Sequence, residues 1–275
     1  MYSLHRIIVS LFIVVLSSSA AGINPYFLPA GADGAGMGSV CIMKPGFWPS
    51  FRNQALLASF RSFSAAVNYE SRFNIGELST RTAATIIPAG RSSLGIIYSN
   101  FGFPHFKRET MAVASGLRLS DNLSAGIQID YFLEKSSGEY SNIHMLTFEG
   151  GLIFLPVENI TIGIHIFNPV PNALRKNFLP SAIRTGAGIN LNKNLFAGVE
   201  AELSSETKLL LRAGFEYEVA ANFMLRGGFC SENSSFTFGS GYRFRSVDLD
   251  LGFATHERLG ITTSVSMIFN IRERK

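Results

Sequence analysis

Hydrophobic and polar residues alternate over most of the chain, from about residue 60 to residue 269. The clearest segment spans residues 123–134, where apolar residues occupy every second position and mainly polar or small residues lie between them. A period of two predicts β-strands, because successive side chains of a strand point to opposite faces. Similar segments predict fourteen strands, which begin near Phe60, Leu78, Leu94, Lys107, Leu123, Ile143, Ile160, Ser181, Leu195, Leu209, Phe223, Ser235, Val247 and Gly260.

The connections between these segments alternate in length. Turn residues such as Asp121-Asn122 and Asn192-Lys193-Asn194 make short connections, whereas residues 134–142 and 168–181 form long ones. In outer-membrane barrels whose termini face the periplasm, short turns lie on the periplasmic side and longer loops lie outside the cell. A closed barrel also leaves no strand edge unpaired. The pattern therefore predicts an all-β fold, a 14-stranded antiparallel transmembrane β-barrel over residues 58–270, in the outer membrane of a Gram-negative bacterium.

The polar faces of the strands distinguish this barrel from a soluble β-sandwich, which shows the same alternation. These faces carry charged residues, including Arg81, Glu202, Glu216 and Asp248, interspersed with glycines. Opposite charges on neighbouring strands can pair across a wet lumen, and glycines leave room there for a plug. We predict a polar network in the lumen formed by Asp130, His165, Arg184, Glu200, Arg212, Arg226, Arg243 and Asp250.

The first residues predict export. A basic start with Arg6, an apolar run over residues 7–16 and small residues at 18–20 are typical of a signal peptide covering residues 1–20, with cleavage between residues 20 and 22. Only 16% of the residues are charged and the net charge is +4, which excludes a disordered chain and gives no indication of nucleic-acid binding. Part of the positive charge lies in a basic periplasmic tail, residues 271–275.

Residues 23–57 differ from the strands because they are rich in Gly, Pro and Ala and show no sustained alternation. Their length and position before the barrel predict a hatch folded into the lumen. A disordered leader is the alternative, but Phe47, Trp48 and Phe51 favour packing against other residues. The hatch residues that we single out are Gly36, Met37, Gly38, Trp48 and Asn53.

Two motifs in this segment carry a family resemblance. Residues 31–38 (GADGAGMG) resemble the GARAAGMGG opening of PorV/PorQ-type outer membrane proteins, which are related to the FadL/OMPP1 transport family. Residues 51–58 (FRNQALLA) resemble the NPAGLA element that follows, and weaker similarity continues to the closing residues 256–269. The resemblance implies a FadL-like 14-stranded barrel with an N-terminal hatch, in a protein of the Bacteroidota.

The resemblance also implies two functions. PorV-like members take part in type IX secretion and receive cargo proteins, which would make the chain a docking protein for secretion components. FadL-like members pass hydrophobic molecules, which would need an apolar track, here lined by Phe47, Trp48, Phe101, Phe103 and Phe178. In both cases the lipid of the outer membrane is a partner.

Catalysis is not expected from this sequence. It contains no HExxH or GxSxG motif, and its two cysteines, Cys41 and Cys230, stand far apart from each other. His165 on a polar strand face is more simply a hydrogen-bonding residue of the lumen. We therefore predict no catalytic residues, no metal site and no cofactor.

Overall fold

The protein is a closed barrel of antiparallel strands. The computed structural model describes residues 26–137, 142–170, 179–205, 209–231 and 234–271. Within these ranges fourteen strands pair in sequence order, and β1 pairs with β14 to close the sheet. They are β1 (Phe63–Ser71), β2 (Ser79–Ala89), β3 (Ser92–Phe103), β4 (Phe106–Arg118), β5 (Leu123–Ser136), β6 (Ile143–Val157), β7 (Ile160–Phe167), β8 (Ala182–Asn192), β9 (Leu195–Ser204), β10 (Leu210–Ala220), β11 (Phe223–Cys230), β12 (Ser235–Phe244), β13 (Val247–His256) and β14 (Gly260–Ile271). The predicted fold class is confirmed.

The two ends of the barrel differ in their connections. At the turn end, where β1 begins and β14 ends, the connections span residues 90–91, 119–122, 158–159, 193–194, 221–222 and 245–246. At the loop end, residues 72–78 form two 3-10 turns, and the connections over residues 137–142 and 168–181 lie partly outside the described residues. In outer-membrane barrels the turn end faces the periplasm and the loop end faces outwards.

The outer face of the barrel is apolar. Large hydrophobic side chains alternate with buried ones along every strand, and Ile127 and Ile129, for example, are 66% and 57% exposed. A water-soluble protein rarely leaves so large a continuous apolar surface open to solvent. The belt instead matches the hydrocarbon-facing surface of a membrane barrel, as the strand pattern predicts. One residue differs from that prediction: Arg81 points outwards, because Thr80 and Thr82 occupy the inner face of β2.

The segment before β1 lies inside the barrel. Helix α1 (Gly31–Ala35) and the 3-10 helices Trp48–Phe51 and Gln54–Ser59 are almost entirely buried. The Asn53 side chain caps the second 3-10 helix by accepting a hydrogen bond from the backbone N–H of Ala55 at 3.2 Å. The predicted boundary between hatch and barrel, at residues 57 and 58, falls inside this helix. The boundary itself stays a prediction. The predicted signal peptide and residues 272–275 of the predicted tail lie outside the described residues.

Glycines on the inner face of the wall make room for this hatch. A side chain at Gly252 would overlap Ala32, one at Gly228 would overlap Met37, and one at Gly126 would overlap Gln54. Between these points the hatch backbone follows the wall from β13 to β4, where further inward glycines lie against it at Gly239, Gly214, Gly163, Gly151 and Gly116. The missing side chains allow backbone-to-backbone approach, so the hatch fits the wall by shape.

The fit predicts that a β-branched residue at one of these glycines displaces the hatch. We expect Gly228→Val to unseat the hatch while the barrel still forms, because the added carbon meets the backbone of Met37 and Gly38 rather than a movable side chain. In detergent, the fluorescence of Trp48, the only tryptophan, should shift to the red, and trypsin should cut after Arg52, which is buried in the wild type. The control is Gly150→Val, whose new side chain meets a single atom at 3.4 Å. An unchanged Trp48 spectrum in Gly228→Val would contradict the fit.

Candidate functional site

The hatch is held in the lumen by side chains of the wall. Backbone N–H groups of Ala32 and Gly38 donate hydrogen bonds to Ser266 Oγ at 2.8 Å and to Thr237 Oγ1 at 2.7 Å. The backbone N–H groups of Cys41 and Ile42 both donate to Glu200 Oε2, at 3.1 and 3.3 Å. Buried backbone groups need hydrogen-bond partners. Because the hatch has little regular structure to supply them, side chains of the wall do so. These contacts therefore fix the path of the hatch as well as its position.

Two hatch side chains complete the anchoring. Asn53, a predicted hatch residue, donates from Nδ2 to the carbonyl oxygen of Ile42 at 2.7 Å and to those of Leu152 and Ile164 on the wall at 3.2 and 3.3 Å. Gln54 Nε2 donates to Glu149 Oε1 at 2.7 Å. The NQ pair of the second motif thus lies where the hatch meets β6 and β7, and its amides bond the hatch to both strands.

The remaining predicted hatch residues pack rather than bond through their side chains. Gly36 and Gly38 lie against β12 and β11, and Met37 is fully buried beside Gly214 and Gly228. Trp48 is fully buried in an apolar cluster with Phe47 and Phe51, against small and aliphatic side chains of the neighbouring wall. The buried Nε1 of Trp48 has no hydrogen-bond partner among the described residues. The two motifs thus supply opposite parts of the hatch surface.

Four residues of the predicted lumen network come together. The strand register places His165 opposite Arg184, and Arg212 opposite Glu200. Arg184 Nη2 lies 2.9 Å from His165 Nδ1 and donates to the carbonyl oxygen of Arg52 at 3.0 Å, while Nη1 lies 3.9 Å from Glu200. Arg212 Nη1 lies 3.6 Å from Glu200 and 2.9 Å from Glu202. This buried cluster joins strands β7 to β10 to the hatch.

A second cluster contains Arg226 and Asp250. Arg226 of β11 reaches across β12 to Asp250 of β13 at 2.6 Å, and the absent side chain of Gly241 makes this possible. Arg226 Nε also donates to Glu216 at 2.6 Å, and the same carboxylate oxygen pairs with Lys44 of the hatch at 3.1 Å. Removing one member of such a buried pair leaves a charge without compensation, which costs more than the pair itself contributes.

Of the other two predicted network residues, Asp130 reaches the first cluster only through Gln128 and Glu149, and Arg243 lies apart. Asp130 is buried on β5 and accepts a hydrogen bond from Gln128 at 2.7 Å. Gln128 also donates to Glu149, which lies 3.2 Å from His165. Arg243 is exposed at the turn end, although its side chain is on the inner face of β12. A side chain on the inner face of a strand is therefore not always part of the polar network.

Sequence reasoning missed three partners in these clusters: Lys44, Gln54 and Glu149. Lys44 and Arg52 are the two cations of residues 23–57, and a cation in an apolar segment indicates a buried hydrogen-bond or carboxylate partner. Glu149 lies on the same alternating face of β6 as Met145 and Thr147, so the strand period already assigned it to the lumen. No local signal identified Gln54, because its partners come from β5 and β6.

A cavity of about 490 Å³ opens above the hatch at the loop end. Rings of Tyr26, Phe27, Phe73 and Phe101 contribute to its lining, together with hydroxyl side chains such as Ser99 and Thr110. The guanidinium groups of Arg52 and Arg108 lie over the rings of Phe27 and Tyr26, at 4.8 and 4.5 Å from the ring centres. Volume and lining are those of a site for a small molecule with an apolar body.

Helix α1 separates this cavity from a second one of about 190 Å³ at the turn end. Ala30 and Ala35 line the upper cavity, whereas Asp33 lines the lower one with Lys44 and Phe47. Of the predicted apolar track, Phe101 lines the upper cavity, Phe47 and Trp48 belong to the hatch cluster, Phe103 lies at the end of β3, and Phe178 lies outside the described residues. The two cavities share no lining residue, and α1 contributes residues to the lining of both.

Burial, together with the charge of Asp250, raises the pKa of the Asp33 carboxyl from 3.8 to about 6, against the opposing effect of Lys44 and Arg226. In the part of the chain that the structure describes, Asp33 Oδ1 is buried without a hydrogen-bond partner. Burial likewise raises the pKa of the Cys41 thiol to about 11, with the charge of Glu200 adding to the effect. Among the described residues, no group of side chains is arranged to hold a metal ion, and no helix is long and apolar enough to cross a membrane.

The ion cluster predicts a large loss of stability when one cation is removed. We expect Arg212→Met to lower the free energy of unfolding by about 3 kcal/mol, because Glu200 and Glu202 remain buried without their partner. Urea unfolding in detergent, followed by Trp48 fluorescence, measures this change. Arg243→Met is the matched control, since it removes the same charge from an exposed position on the same inner surface. Equal effects of the two variants would contradict a role for the cluster.

The raised pKa of Asp33 predicts a loss of stability with rising pH. An acid whose pKa is higher in the folded state favours folding while it is protonated, so this contribution falls between about pH 4 and pH 6. Between pH 4 and pH 6 we expect the free energy of unfolding of Asp33→Asn to fall by about 2 kcal/mol less than that of the wild type. Above pH 6 the variant should be more stable than the wild type. Urea unfolding at the two pH values tests this, with exposed Asp121→Asn as the control. If the pH dependence of stability persists in Asp33→Asn, another titrating group causes it.

Comparisons with known proteins establish the fold. No family model matches the sequence, and no curated protein matches it. Among solved structures, the toluene transporter TbuX of Ralstonia pickettii is 12% identical with a TM-score of 0.63, over 87% of this chain and 97% of that one.

Two further structures agree. A FadL homologue of Pseudomonas aeruginosa is 13% identical with a TM-score of 0.61, over 89% of this chain and 98% of that one. The toluene transporter TodX of P. putida is 10% identical with a TM-score of 0.62, over 89% and 99%. The chain therefore has the fold of FadL-type outer-membrane transporters, a closed antiparallel barrel of fourteen strands.

Proposed function

We propose that this protein is a non-enzymatic channel in the outer membrane of a Gram-negative bacterium, and that it passes small hydrophobic molecules inwards. The observation that carries this proposal is the cavity above the hatch, which opens towards the loop end and has aromatic walls. The apolar belt on the outside of the barrel supports a location in the membrane. An upper cavity with a closed floor is the arrangement expected of a site that captures a molecule before it crosses.

The lining favours a molecule with an apolar body and a small polar group. The rings of Phe73 and Phe101 offer apolar contact, and the hydroxyls of Ser99 and Thr110 offer hydrogen bonds. The cations in the lining are already engaged, since Arg72 pairs with Glu70 at 3.2 Å and Arg108 with Glu134 at 2.5 Å. Such a site discriminates by size and apolar contact more than by charge.

Passage requires a change at α1. This helix of five residues separates the two cavities, and the Ala32 N–H to Ser266 contact is one of the bonds that hold it to the wall. Beyond it, the lower cavity is lined by charged side chains such as Lys44 and Asp248. A displacement of α1 would join the aromatic cavity to this polar one. The molecule would then leave its apolar site for water on the periplasmic side.

A role in type IX secretion, with docking of cargo proteins, rests on the PorV/PorQ-type motifs at residues 31–38 and 51–58. Two of the structures with the same fold, TbuX and TodX, are named as toluene transporters. The channel is therefore the better supported function, and the Bacteroidota assignment stays a prediction from the sequence resemblance. The loop at residues 168–181, where a partner protein would dock, lies partly outside the described residues.

The channel is tested by filling the upper cavity. In a strain that lacks the chromosomal gene, uptake of radiolabelled toluene and radiolabelled oleate is measured with plasmid copies of the wild type and of Thr110→Trp. We expect Thr110→Trp to reduce the uptake rate of at least one compound about tenfold, because the indole occupies the cavity. The control is Val113→Trp on the same strand, which faces the lipid and should leave the rate unchanged.

The same strains distinguish the two functions. The secreted proteins of the deletion strain are compared with those of the wild type. A normal secreted profile together with reduced uptake supports the channel. A loss of secreted proteins with normal uptake of both compounds would overturn it and favour the docking role.

A further inference from the structure

Charged side chains on the outer face of the barrel are confined to one sector. Along β7 to β14, every charged side chain of the described strands points into the lumen. Along β2 to β6, by contrast, five charged or titratable side chains point outwards near the loop end: Arg81, Lys107, Glu109, Lys135 and His144. We call this sector the basic rim. None of its residues lines the cavity of the proposed channel.

The strand register brings these residues side by side. Arg81 lies opposite Asn100 and Asn100 opposite Glu109, so that a polar row crosses β2 to β4. Leu133 then lies between Glu109 and His144. Lys107 lies directly opposite Lys135, one step nearer the loop end. Lys135 pairs with Glu109 at 3.0 Å. Three permanent cations therefore face one carboxylate.

Such an excess of positive charge has a cost. Like charges that are directly opposed on neighbouring strands destabilise a sheet. Glu109 compensates Lys135 but leaves the charges of Arg81 and Lys107 without a carboxylate from the wall. An anion from outside the protein would balance them, and the outward direction of the side chains means that it must come from the membrane side.

Tyrosines define the depth of the rim in the membrane. Tyr69 of β1 lies opposite Arg81 of β2. Met111 of β4 lies between Tyr98 of β3 and Tyr131 of β5 and is opposite both. Tyrosines at the ends of an apolar belt sit at the boundary between hydrocarbon and headgroups. Tyr131 also bonds to His144 through its hydroxyl, at 2.6 Å. The cations of the rim thus lie at the depth of the headgroups in the outer leaflet.

We infer that the basic rim binds the phosphorylated headgroup of a glycolipid in the outer leaflet of the outer membrane. Phosphate groups would lie between Arg81, Lys107 and Lys135, where ion pairs are charge-assisted. The acyl chains would follow the apolar belt over Tyr98 and Ile96 below. The combination of cations and apolar belt indicates the lipid class. A soluble anion would make no contact with the belt, and an uncharged lipid would form no ion pairs with the cations.

The inference is tested on the purified mature protein in detergent, by native mass spectrometry with added diphosphoryl lipid A. We expect the variant Arg81→Gln/Lys107→Gln/Lys135→Gln to bind at least about tenfold more weakly, since each basic residue at an anionic surface contributes roughly fivefold. The matched control removes three basic residues of the turn end, Arg91→Gln/Lys193→Gln/Arg245→Gln, and should bind as the wild type does.

Two further probes complete the design. The wild type should bind dephosphorylated lipid A and phosphatidylglycerol about tenfold more weakly than diphosphoryl lipid A. If the triple variant fails to fold, Lys107→Gln/Lys135→Gln replaces it, with a loss of about tenfold expected. Equal binding of phosphatidylglycerol, full displacement of the lipid by excess inorganic phosphate, or equal losses in the rim and control variants would each overturn the inference. The uptake assay for the channel is independent of these results.

Discussion

The closure of β1 on β14 is the constraint on which the rest of the structure depends. Inside a hydrocarbon layer a strand has no water to satisfy its backbone groups, so every N–H and C=O must find a neighbouring strand. A closed sheet meets this requirement without leaving an edge. It also divides the side chains into two sets, because each strand sends alternate residues to lipid and to lumen. The apolar belt and the enclosed, filled lumen both follow from this division.

The lumen is itself divided into two kinds of surface. Along β1 to β4 its inner face carries apolar side chains such as Ala66, Ile86 and Ile97, and the aromatic cluster of the hatch packs against them. Along β7 to β13 it carries the ion clusters, which accept the backbone and Lys44 of the hatch. Buried charges are tolerated there because each lies among opposite charges and hydrogen-bond donors. The hatch is therefore oriented by chemistry as well as by the shape of the glycine-lined wall.

The placement of the hatch determines what the barrel can do. Here the hatch occupies the lumen and leaves an aromatic cavity on one side and a charged one on the other. Such an asymmetric pair of cavities suits a molecule that is more soluble in an apolar site than in water. The strands form the frame of the barrel, and α1 lies between the two cavities.

The alternation of residues determined the strands: the period of two predicted their number, and the predicted strand starts lie within three residues of the observed ones. The charges and glycines on the polar faces then favoured a barrel over a sandwich. The alternation also assigned Arg184, Glu200 and Arg212 to the lumen, because the face of a strand residue is a local property. Which lumen residues meet was decided only by the tertiary structure, since the register between strands placed Arg226 within reach of Asp250 and left Arg243 exposed. The partners of Lys44 and Gln54 likewise come from strands far along the chain, and the outward direction of Arg81 depends on the phase of β2. Local periodicity is written into the sequence, whereas contacts across the lumen arise only when the sheet has closed around the hatch.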